Sequence, residues 1–224
     1  MNDPFSDDEV IDAWKANAAP WSDAVRGKKI RSRNLVTDQA VIDAVMSRNP
    51  KSVLDIGCGE GWLVRALNAE GVECIGTDAV PALIKRAREE GGGEFIVASY
   101  EDIASGKVQT RVDVVVANFS LIGKEAVDAL IVRAPELLND KGALVIQTPH
   151  PVVATEQNPY IDGWREGSWA GCGDNFSKPA PWYFRTLGTW VKLLRRSGLH
   201  LVDMREPVHP ETGKPASVIL IAAR

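Results

Sequence analysis

The sequence predicts an α/β fold with a doubly wound, mostly parallel sheet, and three observations indicate it. From Val53 onward, short apolar runs alternate with segments of helical periodicity, which is typical of βαβ units. The run from Val114 to Val116 contains no polar residue, as expected of a strand that is covered on both faces. A glycine-rich turn follows the first strand, where open α/β sheets bind their ligands.

The central elements follow one another in order along the chain. We predict strands at 53–56, 73–77, 94–98, 112–117 and 143–147, and helices at 62–70, 81–90 and 124–138. The first of these helices has Leu63, Ala66 and Leu67 on one face. Pro81 opens the second, where its missing N–H is not needed.

The flanking regions are less regular. Two leading helices are predicted at 8–17 and 38–48, and the chain closes with a helix at 187–197 and strands at 199–205 and 217–222. Residues 149–184 contain five prolines and four glycines, so no long regular element fits there. This segment interrupts the alternation of strands and helices.

The composition excludes several classes of protein. The 224 residues are 45% hydrophobic and 25% charged, which is an ordinary globular composition. A formal net charge of -4 argues against a protein whose main task is to bind nucleic acid. No apolar stretch approaches the roughly 18 residues that a membrane span requires. The three cysteines have no metal-binding spacing, which predicts reduced thiols in a cytoplasm and no metal site.

Aromatic residues are concentrated in one segment. The chain has 7 Trp, 3 Tyr and 5 Phe residues. Seven of these fall in the proline-rich segment: Tyr160, Trp164, Trp169, Phe176, Trp182, Tyr183 and Phe184.

The turn after the first strand reads Asp55-Ile56-Gly57-Cys58-Gly59-Glu60-Gly61. Glycines let the backbone approach a ligand closely and adopt positive φ without steric cost. A dinucleotide fingerprint would need glycine where Trp62 stands. The acid before the first glycine also suits a cationic ligand better than a pyrophosphate, which binds helix N-terminal amides. NAD binding is therefore the second interpretation of this turn.

In this position the turn resembles the first motif of the class I S-adenosylmethionine-dependent methyltransferases. The resemblance extends along residues 37–148 and more loosely to the C-terminus. It implies a Rossmann-like sheet of seven strands, mostly parallel with an antiparallel last strand, and helices on both faces. It also implies S-adenosylmethionine as the cofactor, bound by four residues of the turn: Asp55, Gly57, Gly59 and Gly61.

Two more segments at strand ends resemble parts of the family's cofactor site. Asp78 ends the second strand, and its carboxylate can accept hydrogen bonds from both ribose hydroxyls. Capping of the next helix is the alternative role for Asp78. The resemblance also implies that Ala79 lies against the adenine. After the third strand, Ser99 stands where the family usually has an acid, so the adenine amino contact could come from Ser99, from the backbone at Tyr100 or from Glu101. Simple helix capping is the alternative for these three residues.

The methionine end of the cofactor is predicted from two further segments. Asn118 follows the fourth strand, where the family places the methionine part and the reacting methyl group. In the basic run 26–33, Arg31 or Arg33 could pair with the cofactor's carboxylate, because guanidinium binds carboxylate bidentately. A solvated basic face is the alternative.

The proline-rich segment lies next to the edge where the methyl group would point. Its aromatic residues Trp164, Trp182 and Tyr183 are therefore predicted to contact the methyl acceptor, with simple packing as the alternative. His150 follows the fifth strand near the same edge. Because an imidazole can accept a proton near neutral pH, His150 is the candidate catalytic base, and a structural role is the alternative.

Together these features predict one methyltransferase domain over residues 1–224. Its parts are an N-terminal helical cap (1–50), a cofactor-binding core (51–148), an aromatic insert or lid (149–185) and a C-terminal helix with strands (186–224). The predicted function is O- or N-methylation of a small molecule. A nucleic-acid methyltransferase and a cofactor-binding module without turnover are the alternatives, although 118–121 lacks the Asn/Asp-Pro-Pro-Tyr motif of amino-methylating DNA enzymes. The oligomeric state is open.

Overall fold

The computed structural model describes residues 5–156, 158–173 and 175–224. A seven-stranded sheet forms its centre. Its strands in chain order are β1 (Ser52–Ile56), β2 (Glu73–Asp78), β3 (Glu94–Val97), β4 (Val112–Asn118), β5 (Leu138–Pro149), β8 (His200–Arg205) and β9 (Ser217–Ala223). They lie in the order β3-β2-β1-β4-β5-β9-β8. Strand β9 runs antiparallel to the other six strands of this sheet, which confirms the predicted fold class.

Helices cover both faces of this sheet. They are α1 (Asp7–Arg26), α2 (Asp38–Met46), α3 (Trp62–Ala69), α4 (Pro81–Glu90), α5 (Tyr100–Ala104), α6 (Glu125–Arg133), α7 (Pro151–Ala154) and α8 (Leu187–Arg196). Side chains of β4 alternate between two buried clusters, Val115 in the one that includes α6 and α8, and Val114 and Val116 in the one that includes α2 and α3. This alternation explains the unbroken apolar run of the strand.

The order in which the strands are added to the sheet reverses between β1 and β4. Strands β2 and β3 lie on one side of β1, and β4 and β5 lie on the other. The turn after β1 and the residues after β2 and β4 therefore meet at one edge of the sheet, the carboxyl edge. In open α/β sheets, ligands bind at this switch point.

Helix α1 is longer than predicted, because it continues through Pro20 to Arg26. Ala18 packs with Val80 and Leu83 near the start of α4. Asp23 and Arg26 extend the contact through ion pairs with Arg86, Glu60 and Glu90. This packing stabilises the helix beyond the proline, so the predicted end at residue 17 was wrong.

Other boundaries differ for local reasons. Helix α6 ends at Arg133 and a 3₁₀ turn follows over Ala134–Leu137, because Pro135 has no N–H to continue an α-helix. Strand β5 begins at Leu138, five residues before its predicted start. In the proline-rich segment the structure forms short elements, among them a hairpin of β6 (Gly163–Arg165) and β7 (Trp182–Phe184).

None of the helices that the structure describes is both long and apolar enough to span a membrane. Within the same residue ranges, no cluster of three or more His, Cys, Asp or Glu side chains is arranged to bind a metal ion.

Candidate active site

A cavity of about 430 Å³ lies at the carboxyl edge of the sheet. Helix α1 and a π-helical turn at Arg33–Thr37 cover it, and the segments after β1, β2, β3 and β4 form its other walls. Its volume is within the range of about 300–1,000 Å³ that is usual for small-molecule sites. The cavity is therefore the candidate active site.

The glycine-rich turn presents its backbone to this cavity. The N–H groups of Gly57 and Cys58 both donate to the carbonyl of Thr77, at 2.7 and 2.9 Å. Gly57 has φ +76°, and a Cβ there would collide with the side chain of Ser120. A Cβ on Gly59 would have only the Trp21 indole within 4 Å. Gly57 is thus fixed by packing, whereas Gly59 leaves its backbone open to a ligand.

Asp78 connects the turn to the end of β2. Its carboxylate accepts hydrogen bonds from the N–H of Gly59 at 2.9 Å and from the N–H of Val80 at 2.8 Å. Burial raises its pKa, although these two hydrogen bonds lower it in part. Asp78 also lines the cavity, and each oxygen keeps a lone pair for a ligand. It can therefore order the turn and bind a ligand at once.

Two other predicted residues of the turn lie behind the cavity wall. Asp55 is 2% exposed, and its Oδ1 has no hydrogen-bond partner among the described residues. Burial raises the pKa of Asp55 to about 8, and the nearby charge of Asp78 adds to the effect. Gly61 starts α3 with φ +85°, where a Cβ would overlap the ring of Phe95. Gly61 therefore allows α3 to pack against β3 and does not line the cavity.

Of the three residues after β3 that were predicted to contact the adenine amino group, two line the cavity. Tyr100 and Glu101 line the cavity, and the Tyr100 hydroxyl donates to the carbonyl of Ser120 at 2.7 Å. Ser99 instead caps α5, because its Oγ accepts from the N–H of Asp102 at 3.2 Å. Ser99 is not among the residues that line the cavity.

The segment after β4 supplies one wall of the cavity. Asn118 and Phe119 both line it, as does Ala79 on the side of β2. Phe119 has φ +52°, an unusual conformation for a bulky residue, and such strain often accompanies functional sites.

Arg33 is the cationic side chain among the described residues that line the cavity. It is 8% exposed, pairs with Asp38 through its Nε at 2.9 Å, and lies over the ring of Trp62 at 4.7 Å. Its Nη2 is buried without a hydrogen-bond partner among the described residues. Arg31 is exposed and pairs with Glu211, so the structure brings Arg33 and not Arg31 to the cavity.

The aromatic residues predicted to contact the acceptor lie elsewhere. Trp164, Trp182 and Tyr183 belong to the β6–β7 hairpin and do not line the cavity. The hairpin contacts the outside of the cavity wall, where the N–H of Tyr183 donates to the carbonyl of Ile122 at 2.7 Å. Its aromatic residues therefore support the segment after β4 from behind.

Trp169 is the aromatic residue of this segment that does line the cavity. Its ring lies 5.3 Å from Trp14 and stacks on Phe176 at 4.5 Å. Trp14 lies 5.1 Å from Trp21, and both belong to α1. The indole N–H of Trp169 is buried without a hydrogen-bond partner among the described residues. We call Trp14, Trp21 and Trp169 the tryptophan cover.

The structure does not bring His150 to the cavity. Its Nδ1 accepts from the N–H of Val152 at 3.1 Å, which leaves Nε2 to donate to Glu206 at 2.8 Å. Both ring nitrogens are engaged, and the ring caps α7. This geometry favours the structural alternative for His150.

Some cavity residues were not predicted as individual site residues, although Trp14 and Trp21 lie in the predicted N-terminal helical cap. Trp14 and Trp21 are seven residues apart, so they share one face of α1, and this spacing was a usable signal. Thr37 lines the cavity with a buried hydroxyl that has no partner among the described residues. No sequence pattern distinguishes Thr37.

Comparison with known proteins agrees with this geometry. The family described as a methyltransferase domain matches residues 34–204. An uncharacterized methyltransferase of Schizosaccharomyces pombe is 22% identical over 171 residues, which cover 72% of this chain and 64% of that protein. A malonyl-[acyl-carrier protein] O-methyltransferase of Anoxybacillus flavithermus is 26% identical over 44% of this chain and 39% of its own length. A trans-aconitate 2-methyltransferase of Rhodococcus jostii is 28% identical over 49% and 42%, so the chain spans less than two thirds of each relative.

Solved structures share the fold. The 1,6-didemethyltoxoflavin-N1-methyltransferase of Burkholderia thailandensis, with bound 1,6-didemethyltoxoflavin and S-adenosylhomocysteine, has a TM-score of 0.68 at 17% identity, covering 100% of this chain and 93% of that one. An S-adenosylmethionine-dependent methyltransferase of Mesorhizobium loti has a TM-score of 0.62 at 22% identity, covering 81% and 96%. The family match covers most of the chain, and the TM-scores of 0.62 and 0.68 show that the fold is shared with these structures. The protein therefore belongs to the methyltransferase-domain family and has the fold of the S-adenosylmethionine-dependent enzymes.

Proposed function

We propose that this protein transfers a methyl group from S-adenosylmethionine to an oxygen or nitrogen atom of a small molecule. The observation that carries the proposal is the cavity, which combines an open glycine turn, the Asp78 carboxylate and the partly unpaired Arg33 guanidinium at one sheet edge. The relatives named above for trans-aconitate and 1,6-didemethyltoxoflavin support a small-molecule acceptor.

The residues present fit S-adenosylmethionine. The unpartnered Nη2 of Arg33 is a donor for the methionine carboxylate, and the free lone pairs of Asp78 suit the ribose hydroxyls. Ala79, Tyr100 and Glu101 would line the adenine side. When bound, the cofactor supplies a methyl group on a positively charged sulfur. The protein's own part is to orient both ligands and to exclude water beneath the tryptophan cover.

A panel assay tests this proposal. The protein is incubated with S-adenosylmethionine and small carboxylic acids, phenols and amines, and release of S-adenosylhomocysteine is measured. We expect acceptor-dependent release with at least one of these classes. Saturable cofactor binding without release on any acceptor would favour the module without turnover, and release only with DNA or RNA would favour the nucleic-acid alternative.

Cofactor affinity should depend on pH through Asp55. Because its pKa is raised to about 8, Asp55 is mostly protonated at pH 6. The protonated amino group of the ligand, bound nearby, would favour the ionised form of Asp55. Binding then releases a proton, so the affinity for S-adenosylhomocysteine should increase from pH 6 to pH 8, at most about tenfold per pH unit. Calorimetry in two buffers of different ionisation enthalpy measures the release. Asp55→Asn should flatten the profile, and a flat profile in the unmodified protein would contradict this role.

The tryptophan cover should bind the cofactor's positive charge. Trp169→Ala should raise the Kd of S-adenosylmethionine roughly 2- to 30-fold, since an aromatic face attracts a cation by about 0.5–2 kcal/mol. The loss should be smaller for S-adenosylhomocysteine, whose sulfur is neutral. Trp164→Ala is the matched control in the hairpin and should leave both affinities within about twofold. Equal effects of the two variants would contradict the assignment of Trp169.

A further inference from the structure

A buried hydrogen-bond chain fixes the orientation of one side chain in the cavity wall. The Nε2 of Gln147 donates to the backbone carbonyl of Thr37 at 3.0 Å and to the Oδ1 of Asn118 at 2.6 Å. The hydroxyl of Ser217 donates to the Oε1 of Gln147 at 3.0 Å. Because the backbone carbonyl of Thr37 can only accept, the Gln147 amide must turn its NH₂ group toward it. Asn118 must then turn its oxygen toward Gln147.

This orientation leaves the amide nitrogen of Asn118 free to donate. It makes no hydrogen bond to the described residues, and Asn118 lines the cavity. The hydroxyl of Thr37 is the second unpaired group here, on a side chain that is only 2% exposed. The backbone carbonyl of Thr37 and the side-chain oxygen of Asn118 both accept from the Nε2 of Gln147, so the two residues are neighbours in the cavity wall, and each carries a group that can donate. A ligand group that carries lone pairs and no hydrogens fits them best.

The cavity also offers few groups that could remove a proton from an acceptor. Neither histidine nor lysine occurs among the described residues that line it. The carboxylate of Asp7 accepts from the N–H groups of Lys124 and Ala126, and the Tyr100 hydroxyl is a donor to Ser120. Burial also raises the pKa of the Cys58 and Cys172 thiols, and the Asp78 and Glu101 carboxylates lie on the side proposed for the cofactor. An acceptor that is already ionised needs none of these groups.

We infer that the methyl acceptor is a carboxylate, bound by the Thr37 hydroxyl and the Asn118 amide nitrogen, with Gln147 as the positioning residue that keeps this amide donating. The inference rests on the proposed function. A carboxylate oxygen forms the new C–O bond while the S–C bond breaks and its electron pair stays on sulfur, so the products are a methyl ester and a neutral thioether and no proton is released. An amine fits less well at Asn118, because its own N–H donors would meet the donating amide nitrogen.

The experiment uses acetate as the probe and the whole chain saturated with S-adenosylhomocysteine. Chemical shifts of the Asn118 side-chain NH₂ and of the Thr37 and Phe119 backbone amides are followed by NMR during titration with acetate and, separately, with methylammonium. We expect saturable shifts with acetate only. Thr37→Val should weaken acetate binding roughly 2- to 10-fold, as expected for one lost hydrogen bond, without lowering the thermal midpoint, because the hydroxyl has no partner to lose. Thr110→Val, at the amino end of the sheet, is the matched control and should bind acetate normally.

A second variant tests the orientation of the amide. Asn118→Asp still accepts the hydrogen bond from Gln147 but presents an oxygen to the cavity, so it should lose acetate binding and gain methylammonium binding. Saturation by methylammonium in the unmodified protein, no response to either probe, or a Thr37→Val variant that binds acetate normally would each overturn the inference. Binding of S-adenosylhomocysteine without binding of acetate would contradict only the inference of a carboxylate acceptor. Failure to bind S-adenosylhomocysteine would contradict both the proposed function and this inference.

Discussion

Asp78→Ala is expected to weaken the binding of S-adenosylhomocysteine by about 1.5–3 kcal/mol, or roughly 10- to 150-fold in Kd. The variant loses the acceptor for two ribose hydroxyls and also the hydrogen bonds that hold Gly59 and Val80. Calorimetric titration measures the Kd. The same titration with the 2′-deoxy ligand separates the two effects, because removing this hydroxyl should weaken binding to the unmodified protein but not to the variant.

Asp113 provides a matched control for this experiment. Its carboxylate also accepts from two backbone N–H groups, those of Lys51 at 2.8 Å and Ser52 at 3.1 Å, but at the opposite edge of the sheet. Asp113→Ala should therefore lose stability and keep its affinity for the ligand. A Kd for Asp78→Ala equal to that of the unmodified protein would contradict the ribose contact.

Gly57→Ala is expected to lower the free energy of unfolding by about 2–5 kcal/mol. The positive φ of +76° costs an L-residue about 1–2 kcal/mol, and overpacking against Ser120 costs about 1–3 kcal/mol more. Urea denaturation measures the change. Because the displaced turn also faces the cavity, the variant should bind S-adenosylhomocysteine more weakly as well.

Gly71 isolates the steric part of this effect. It has φ +83°, and a Cβ there would meet no atom within 4 Å. Gly71→Ala should therefore cost only the backbone strain, about 1–2 kcal/mol. Equal losses for the two variants would show that the contact with Ser120 does not restrict Gly57.

The place of the proposed cofactor residues in the fold was predictable, because its signals are local in sequence. Strand β1 runs directly into the glycine turn, and Asp78 ends β2, so the positions of Gly57, Gly59 and Asp78 follow once two parallel strands are recognised. Ser99 shows the limit of this reasoning. The Ser-x-x-Asp spacing is a capping box, and the structure uses Ser99 to start α5.

The side of the cavity proposed for the acceptor was less predictable, because residues that are distant in sequence form it. The hairpin pairs 163–165 with 182–184, and this pairing directs Trp164, Trp182 and Tyr183 away from the cavity. Aromatic composition indicates burial but not which surface is buried. Thr37 and Gln147 are 110 residues apart, and only the folded sheet brings them into hydrogen-bonding contact.

The crystal structure of the protein with S-adenosylhomocysteine tests the central claim most directly. The account predicts that the ligand lies in the cavity at the carboxyl edge, with its ribose hydroxyls on Asp78, its carboxylate on Arg33 and its adenine beside Ala79 and Tyr100. Density for the ligand outside this cavity, or inside it without contact to Asp78, would contradict the account.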